Sequence, residues 1–214
     1  MSEEPRIVLA SQSPRRAELL ERLGLEFEVE PADIDEGYPG DEMPARYAER
    51  LAREKAIAVA NRHHDALVVG SDTIVVLDSD VLGKPEDEAD AVRMLNRLSG
   101  LEHEVFTAVA VVLGGRVESA VECVPVRFRA LDEAEIEAYV ATGEPLDKAG
   151  AYGIQGYGSA IVESIRGDYF AVVGLPVVRM LSLFRRLGWK YDFGRLIPVE
   201  AAAVTDPLGR WERP

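Results

Sequence analysis

Two hydrophobic periods alternate along this chain, and the switches between them outline its elements. A short apolar run at 7–10 reads as a buried strand. Ser13 then offers an N-cap and Pro14 the first helical position, followed by an apolar stripe of Leu19, Leu20 and Leu23 that Gly24 closes. Phe27 and Val29 alternate with Glu26, Glu28 and Glu30, the pattern of a strand with one wet face. After a loop at 38–40, residues 44–62 carry Tyr47, Leu51, Lys55 and Val59 at helical spacing. A second apolar run, 67–70, is continued by 73–77 or pairs with it. Asp78, Ser79 and Asp80 turn the chain into 81–85.

A helix is expected over 87–99, stopped by Gly100. Residues 105–113 and 116–129 flank Gly114 and Gly115, which predicts a long antiparallel hairpin. Asp132 and Glu135 form a variant of the capping box for a helix that Gly143 ends. A glycine-rich loop spans 150–158. Residues 161–165 and 169–173 both read as strands joined at Gly167 and Asp168, and Pro176 opens a last helix to Leu187. No period is visible from Trp189 to Pro214. The chain therefore divides into one domain at 1–188 and a tail of uncertain order at 189–214. Mixed strands and helices with a long hairpin predict an α/β fold with a mixed β-sheet, not a doubly wound parallel one.

Composition narrows the chemistry. The 214 residues are 47% hydrophobic, enough for one core or two small lobes. No stretch approaches the roughly 20 apolar residues that span a bilayer. Residues 1–6 are polar and acidic, unlike a signal peptide. The single Cys123 excludes an internal disulfide. Together these features predict a cytoplasmic protein without membrane contact. The net charge of −14 argues against nucleic acid as a partner. A small anionic ligand stays open if local cations or a metal receive it. Nine acids and one base, Arg46, lie between Glu26 and Glu49; most of that run reads as solvated surface, with a few carboxylates able to hold a cation.

Three segments carry candidate chemistry. Ser11, Gln12, Ser13, Pro14, Arg15 and Arg16 join a strand to a helix start, where free N–H groups bind phosphate and guanidiniums grip its oxygens. By itself the segment reads better as a plain Ser-Pro cap with two surface arginines. Asp72 lies in Gly70-Ser71-Asp72-Thr73, directly after an apolar run, where α/β proteins place reacting groups or simply begin a turn. Lys84 precedes Pro85 as a phosphate contact or a surface lysine, and Pro85 rules out a Walker loop. The stretch 147–156 combines close-approach glycines with Gln155, which offers a donor and an acceptor together. His63, His64 and His103 lack metal-ligand spacing, and no nucleophile elbow or dinucleotide fingerprint is present.

Taken in order, these blocks resemble the Maf family. The matching residues are Leu9-Ala10-Ser11-Gln12-Ser13-Pro14-Arg15-Arg16, Ala52-Arg53-Glu54-Lys55-Ala56, Gly70-Ser71-Asp72-Thr73 and Leu82-Gly83-Lys84-Pro85. They continue with Leu98-Ser99-Gly100, Thr107-Ala108-Val109, the run 144–156 and Val173-Gly174-Leu175-Pro176. The resemblance covers about 7–187 and implies two lobes around a central cleft, a fold related to the inosine triphosphatases. It also implies a metal-dependent nucleoside triphosphate pyrophosphatase. Arg15, Thr73 and Gln155 match the branch acting on dTTP and UTP. The alternatives are the branch acting on 7-methyl-GTP, a nucleotide-binding protein with little turnover, and a cell-division role at the septum.

On this reading Asp72 activates water, and Lys55, Lys84, Arg15 and Arg16 hold the triphosphate. Ser11, Ser13 and Thr73 add substrate hydrogen bonds, and Gln155 reads a pyrimidine edge, although a rotated amide also fits cytosine. Mg²⁺ or Mn²⁺ would sit at Asp72 with Asp35 or Glu36 as a second carboxylate. Beyond the nucleoside triphosphate, a homodimer is the one further partner expected.

Overall fold

The computed structural model describes residues 4–38 and 40–199. Residues 1–3, Pro39 of the 38–40 loop and residues 200–214 of the tail lie outside them.

Strand β1 (Ile7–Leu9) is buried throughout, as a strand covered on both faces must be. It pairs in parallel with β2 (Phe27–Val29) on one edge and with β3 (Leu67–Leu77) on the other. The two apolar runs at 67–70 and 73–77 are one continuous strand, β3. Next in the chain, β4 (Asp80–Leu82) folds back on β3 through Asp78 and Ser79, both at positive φ. The long hairpin is β5 (Glu102–Leu113) and β6 (Arg116–Phe128), turned by Gly114 and Gly115 at φ 54° and 78°. Such mirror-image turns match the twist of the flanking strands. With β7 (Val162–Ile165) beside β6, the order is β2-β1-β3-β5-β6-β7, and β4 lies beside β3. The sheet is mixed, as the sequence predicts.

One gap in this sheet positions the site. β5 pairs along β3 from Val68 to Val76 and so occupies one whole edge. On the other edge β1 reaches only Leu67 to Val69, and β4 only Val75 to Leu77. Residues 70–74 of β3 are left with an open edge between them.

The α-helices of the described residues are α1 (Pro14–Arg22), α2 (Pro44–Ala60), α3 (Glu88–Leu98), α4 (Glu133–Val140), α5 (Tyr169–Val173) and α6 (Val177–Arg186). α2 lays Leu51, Ala52, Ala56 and Val59 on Val8, Val68, Ile74 and Ala110, one face of the sheet. On the other face, α1 and α6 place Leu20, Met180, Leu183 and Phe184 against Leu9, Val69 and Val111. The alternation of Val68 and Val69 between these cores is the strand period of two. A second lobe forms where β3, β5 and β6 run on past α2: Val75, Val105, Val126 and Phe128 pack with Leu95 and Leu98 of α3 and Ile136 of α4. Each fully buried leucine contributes about 2 kcal/mol through loss of apolar surface.

Gly70 sets how closely α2 approaches. A Cβ there would lie 2.4 Å from the Ala52 carbonyl oxygen and 2.7 Å from the Ala56 backbone nitrogen. The side chains of Ala52 and Ala56 are the small partners this contact requires.

Three expectations are corrected. Residues 169–173 form helix α5, not a strand, because Asp168 caps it by accepting from the Phe170 N–H at 2.8 Å. Val29 is 52% exposed, so β2 does not bury its whole apolar face. The tail begins as a hairpin, β8 (Trp189–Tyr191) and β9 (Leu196–Pro198). Buried Leu196 and the Tyr191 hydroxyl, which donates to the Leu23 carbonyl at 2.7 Å, dock that hairpin on the first lobe.

Candidate active site

Between the lobes lies a cleft of about 620 Å³. Its floor is the open-edged stretch of β3. Alternation sends Asp72 toward α2 and sends Ser71 and Thr73 toward α1, so both faces of one strand furnish the site. Asp72 is therefore inside the strand, not after it.

Asp72 meets Lys55, one helical turn past Ala52. The Lys55 ammonium donates to Asp72 Oδ1 at 2.7 Å and lies 2.9 Å from Glu36 Oε1. Lys55 and Asp72 are buried, with side chains 9% and 8% exposed. Burial, opposed by the charges of Lys55 and Arg16, raises the Asp72 pKa above its ordinary value. Lys55 is thus held between two carboxylates.

On the opposite face Arg16 acts as a brace. Its Nε donates to the Gly174 carbonyl at 2.8 Å, and its terminal nitrogens donate to Ser11 Oγ at 3.0 Å and Thr73 Oγ1 at 3.3 Å. Burial lowers its pKa, against the pull of Asp72. The Ser71 hydroxyl donates to the Ala108 carbonyl at 2.7 Å and lies 3.0 Å from the Gly174 carbonyl oxygen, while Thr107 donates to the Ala171 carbonyl at 2.7 Å and its oxygen lies 3.1 Å from the Thr73 hydroxyl.

At the start of α1, Ser11 Oγ accepts from the Ser13 N–H at 3.2 Å, while the Ser13 side chain makes no capping bond. Arg15 reaches across to the second lobe and meets Asp147 at 3.2 Å. Lys148 donates to the same carboxylate at 2.6 Å. Burial favours a protonated Asp147, but Lys148 and Arg15 together hold its pKa below the usual carboxylate value. Lys84 is exposed on the cleft wall and makes no hydrogen bond or ion pair among the described residues. Gln155 also lines the cleft, in the loop that follows Lys148.

The fold thus brings Ser11, Ser13, Arg15, Arg16, Glu36, Lys55, Asp72, Thr73, Lys84 and Gln155 to one cleft. It does not bring Asp35, whose carboxylate is turned to its own backbone and accepts from the Gly37 N–H at 2.9 Å. Within the candidate stretch 147–156 the sequence pointed to Gln155; Asp147, Lys148 and Tyr152 of the same stretch also line the cleft, as does Tyr47, which the sequence placed only on a helix. The pairing of Asp147 with Arg15 spans 132 residues, so only the fold reveals it.

The donor set fits a divalent cation shared with a polyanion. Among the described residues no three His, Cys, Asp or Glu side chains are grouped to hold a metal alone. Asp72 and Glu36 are nevertheless drawn to one ammonium. One or two carboxylates completed by substrate phosphates is the usual Mg²⁺ arrangement.

A buried carboxylate beside a polar, cation-rich cleft defines a hydrolytic site for a phosphorylated ligand. The chain belongs to the Maf family: the family described as "Maf-like protein" matches residues 6–187. It is 55% identical over 185 residues to the dTTP/UTP pyrophosphatase of Moorella thermoacetica, covering 86% of this chain and 95% of that one. The dTTP/UTP pyrophosphatase of Anaeromyxobacter dehalogenans is 53% identical over 196 residues, covering 89% and 98%. Among solved structures, a HAM1 protein from Coxiella burnetii overlaps at TM-score 0.44 and 14% identity, covering 74% and 80%.

Proposed function

We propose that this protein hydrolyses dTTP and UTP to the nucleoside monophosphate and pyrophosphate. The observation that carries this reading is the buried Asp72, with its raised pKa, in a cleft whose walls present cations from both lobes. The names of relatives sharing about half of its residues support the substrate.

Asp72 accepts the proton of the attacking water. Lys55 occupies Oδ1, which leaves Oδ2 for that proton. An ordinary aspartate is too weak a base near neutral pH, and the raised pKa brings Asp72 closer to the task. Asp72 and Glu36 would hold the divalent cation, which when bound offsets phosphate charge and acidifies water. The α1 N-terminus with Ser11 and Ser13 binds phosphate oxygens. Arg15, Lys84 and Lys148 gather the rest of the triphosphate and receive charge as pyrophosphate departs. Arg16 fixes Ser11 and Thr73 in place. Gln155 pairs with the N3–H and a carbonyl of uracil or thymine. The lone Cys123, which needs no oxidising compartment, supports a cytoplasmic setting.

The test is pyrophosphate release from each common nucleoside triphosphate and 7-methyl-GTP with Mg²⁺ or Mn²⁺. Fast release from dTTP and UTP, abolished by EDTA, is expected. Release chiefly from 7-methyl-GTP overturns the substrate, and no release from any of them overturns the enzyme.

A further inference from the structure

Gln155 sits in a loop tied down on both flanks by two side chains that do not line the cleft. Two residues before it, the Gly153 N–H donates to the Tyr139 hydroxyl at 3.3 Å. That hydroxyl donates to Glu144 Oε1 at 2.9 Å. Two and three residues after it, the Tyr157 N–H donates to Glu144 Oε2 at 2.9 Å and the Gly158 N–H donates to Oε1 at 3.0 Å. One carboxylate and one phenol thus close the loop 153–158 into a ring, with Gln155 on its cleft side.

The glycines show how tight this ring is. A Cβ on Gly156, at φ 64°, would lie 2.4 Å from Glu144 Oε2. One on Gly158 would lie 1.9 Å from the Gly153 carbonyl oxygen and 2.8 Å from the Tyr139 hydroxyl. Three glycines in six residues give the segment wide backbone freedom to lose on ordering, and among the described residues no strand pairs with it. The Tyr157 side chain, 68% exposed, adds little packing. Tyr139 stands on α4 and is 7% exposed, a rigid post. Glu144 and Tyr139 thus tie down both flanks of Gln155, beside the short 3-10 turn at Gly156–Ala160 and the packing of Ile154 on the first core.

We propose that Glu144, relayed by Tyr139, is a positioning residue for base discrimination: it holds the 153–158 loop so that Gln155 meets the base in one geometry. This rests on the reading of Gln155 as the residue that contacts the base. A side chain that reads by paired hydrogen bonds discriminates only while its backbone is held to a fraction of an ångström. Loosening the loop blurs that reading and leaves Asp72 and the phosphate contacts alone.

The experiment compares Glu144→Gln, Tyr139→Phe and Gln155→Ala with the unaltered protein. Both first variants keep shape and remove bonds. Steady-state kinetics on UTP, CTP and ATP give kcat and KM separately, and a melting temperature is taken for each protein. Expected is a loss of roughly tenfold in the UTP preference for Glu144→Gln, carried mainly by KM, with kcat on saturating UTP little changed. Tyr139→Phe loses less, in the same direction. In the Gln155→Ala background Glu144→Gln costs no further preference, because both act through one contact. If Gln155→Ala abolishes the preference and Glu144→Gln leaves it intact, the positioning role is overturned. Equal loss on all three nucleotides with a lowered melting temperature also overturns it, in favour of a purely structural carboxylate. If Gln155→Ala leaves the preference unchanged, the reading of Gln155 falls and takes this inference with it.

Discussion

Replacing Asp72 by asparagine separates catalysis from stability. The new side chain has the same shape, and Lys55 keeps Glu36 at 2.9 Å as a charge partner. What disappears is the proposed proton acceptor. A positioned general base contributes about 10²–10⁴ in rate, or about 3–5 kcal/mol of transition-state stabilisation. The Asp72→Asn protein should lose that factor in kcat on dTTP with KM changed far less. Stability moves differently. The folded-state pKa of Asp72 is raised, so the folded protein takes up this proton more readily than the unfolded chain does. The stabilising contribution of such a group is fully present below the unfolded value and is lost as pH rises through the folded pKa. Above that folded pKa an ionised Asp72 therefore opposes folding relative to its neutral form. A neutral isostere should leave the melting temperature unchanged or higher, the usual trade between a strained site and stability. Pyrophosphate release and thermal unfolding of one preparation at pH 7 read both quantities. Near-normal kcat would refute the proton-acceptor role. A melting temperature lowered by many degrees would refute the assignment of burial as the dominant influence on Asp72.

Gly70→Ala tests the packing that carries Lys55 to Asp72. Its Cβ would collide with backbone atoms of α2 at 2.4 and 2.7 Å, so a destabilisation of about 1–3 kcal/mol is expected in urea unfolding, with activity falling alongside. His103 gives a pH signature. It is buried against Tyr152 and Phe128, donates or accepts with the Tyr152 hydroxyl at 2.8 Å, and its Nδ1 has no partner. Burial lowers its pKa from 6.5 to about 4. The unfolded chain then binds the proton first, so stability should fall as pH drops from 6.5 toward about 4, by about 3 kcal/mol in all. His103→Gln should remove that limb from a melting-temperature profile; an unchanged profile would assign it to other groups.

The elements with strong local signals were legible. Asp132 and Glu135 make the reciprocal capping box, and Gly114 and Gly115 make the turn that their sequence requires. Helix α5 was not legible, because five residues rich in tyrosine, phenylalanine and valine suit a strand by propensity, and one capping bond from Asp168 decides otherwise. The hairpin at Trp189 was hidden for a related reason: each strand is three residues long, too short to show a period, and it is held by contacts to α1 and β1 neighbours far away in the chain. Most cleft residues could be named from ordered motifs. Their pairings could not. Asp35 and Glu36 are adjacent and chemically alike, and only the path of the backbone sends one to Lys55 and turns the other to Gly37.

Those pairings also explain how an acidic protein can receive a triphosphate. The chain carries a net charge of −14, yet the cleft collects Arg15, Arg16, Lys55, Lys84 and Lys148. Several of these cations already have a carboxylate: Lys55 has Asp72 and Glu36, while Arg15 and Lys148 share Asp147. A stray monoanion therefore meets three cations that already have carboxylate partners. On the proposed function, a triphosphate arriving with a divalent cation would differ at both ends, because its phosphates would compete with Asp147 for Arg15 and Lys148 while its cation would offer Asp72 and Glu36 a stronger partner than one ammonium. Discrimination for a metal-bound triphosphate would then follow from exchanging partners at two places at once, which neither a free metal nor a free phosphate does alone.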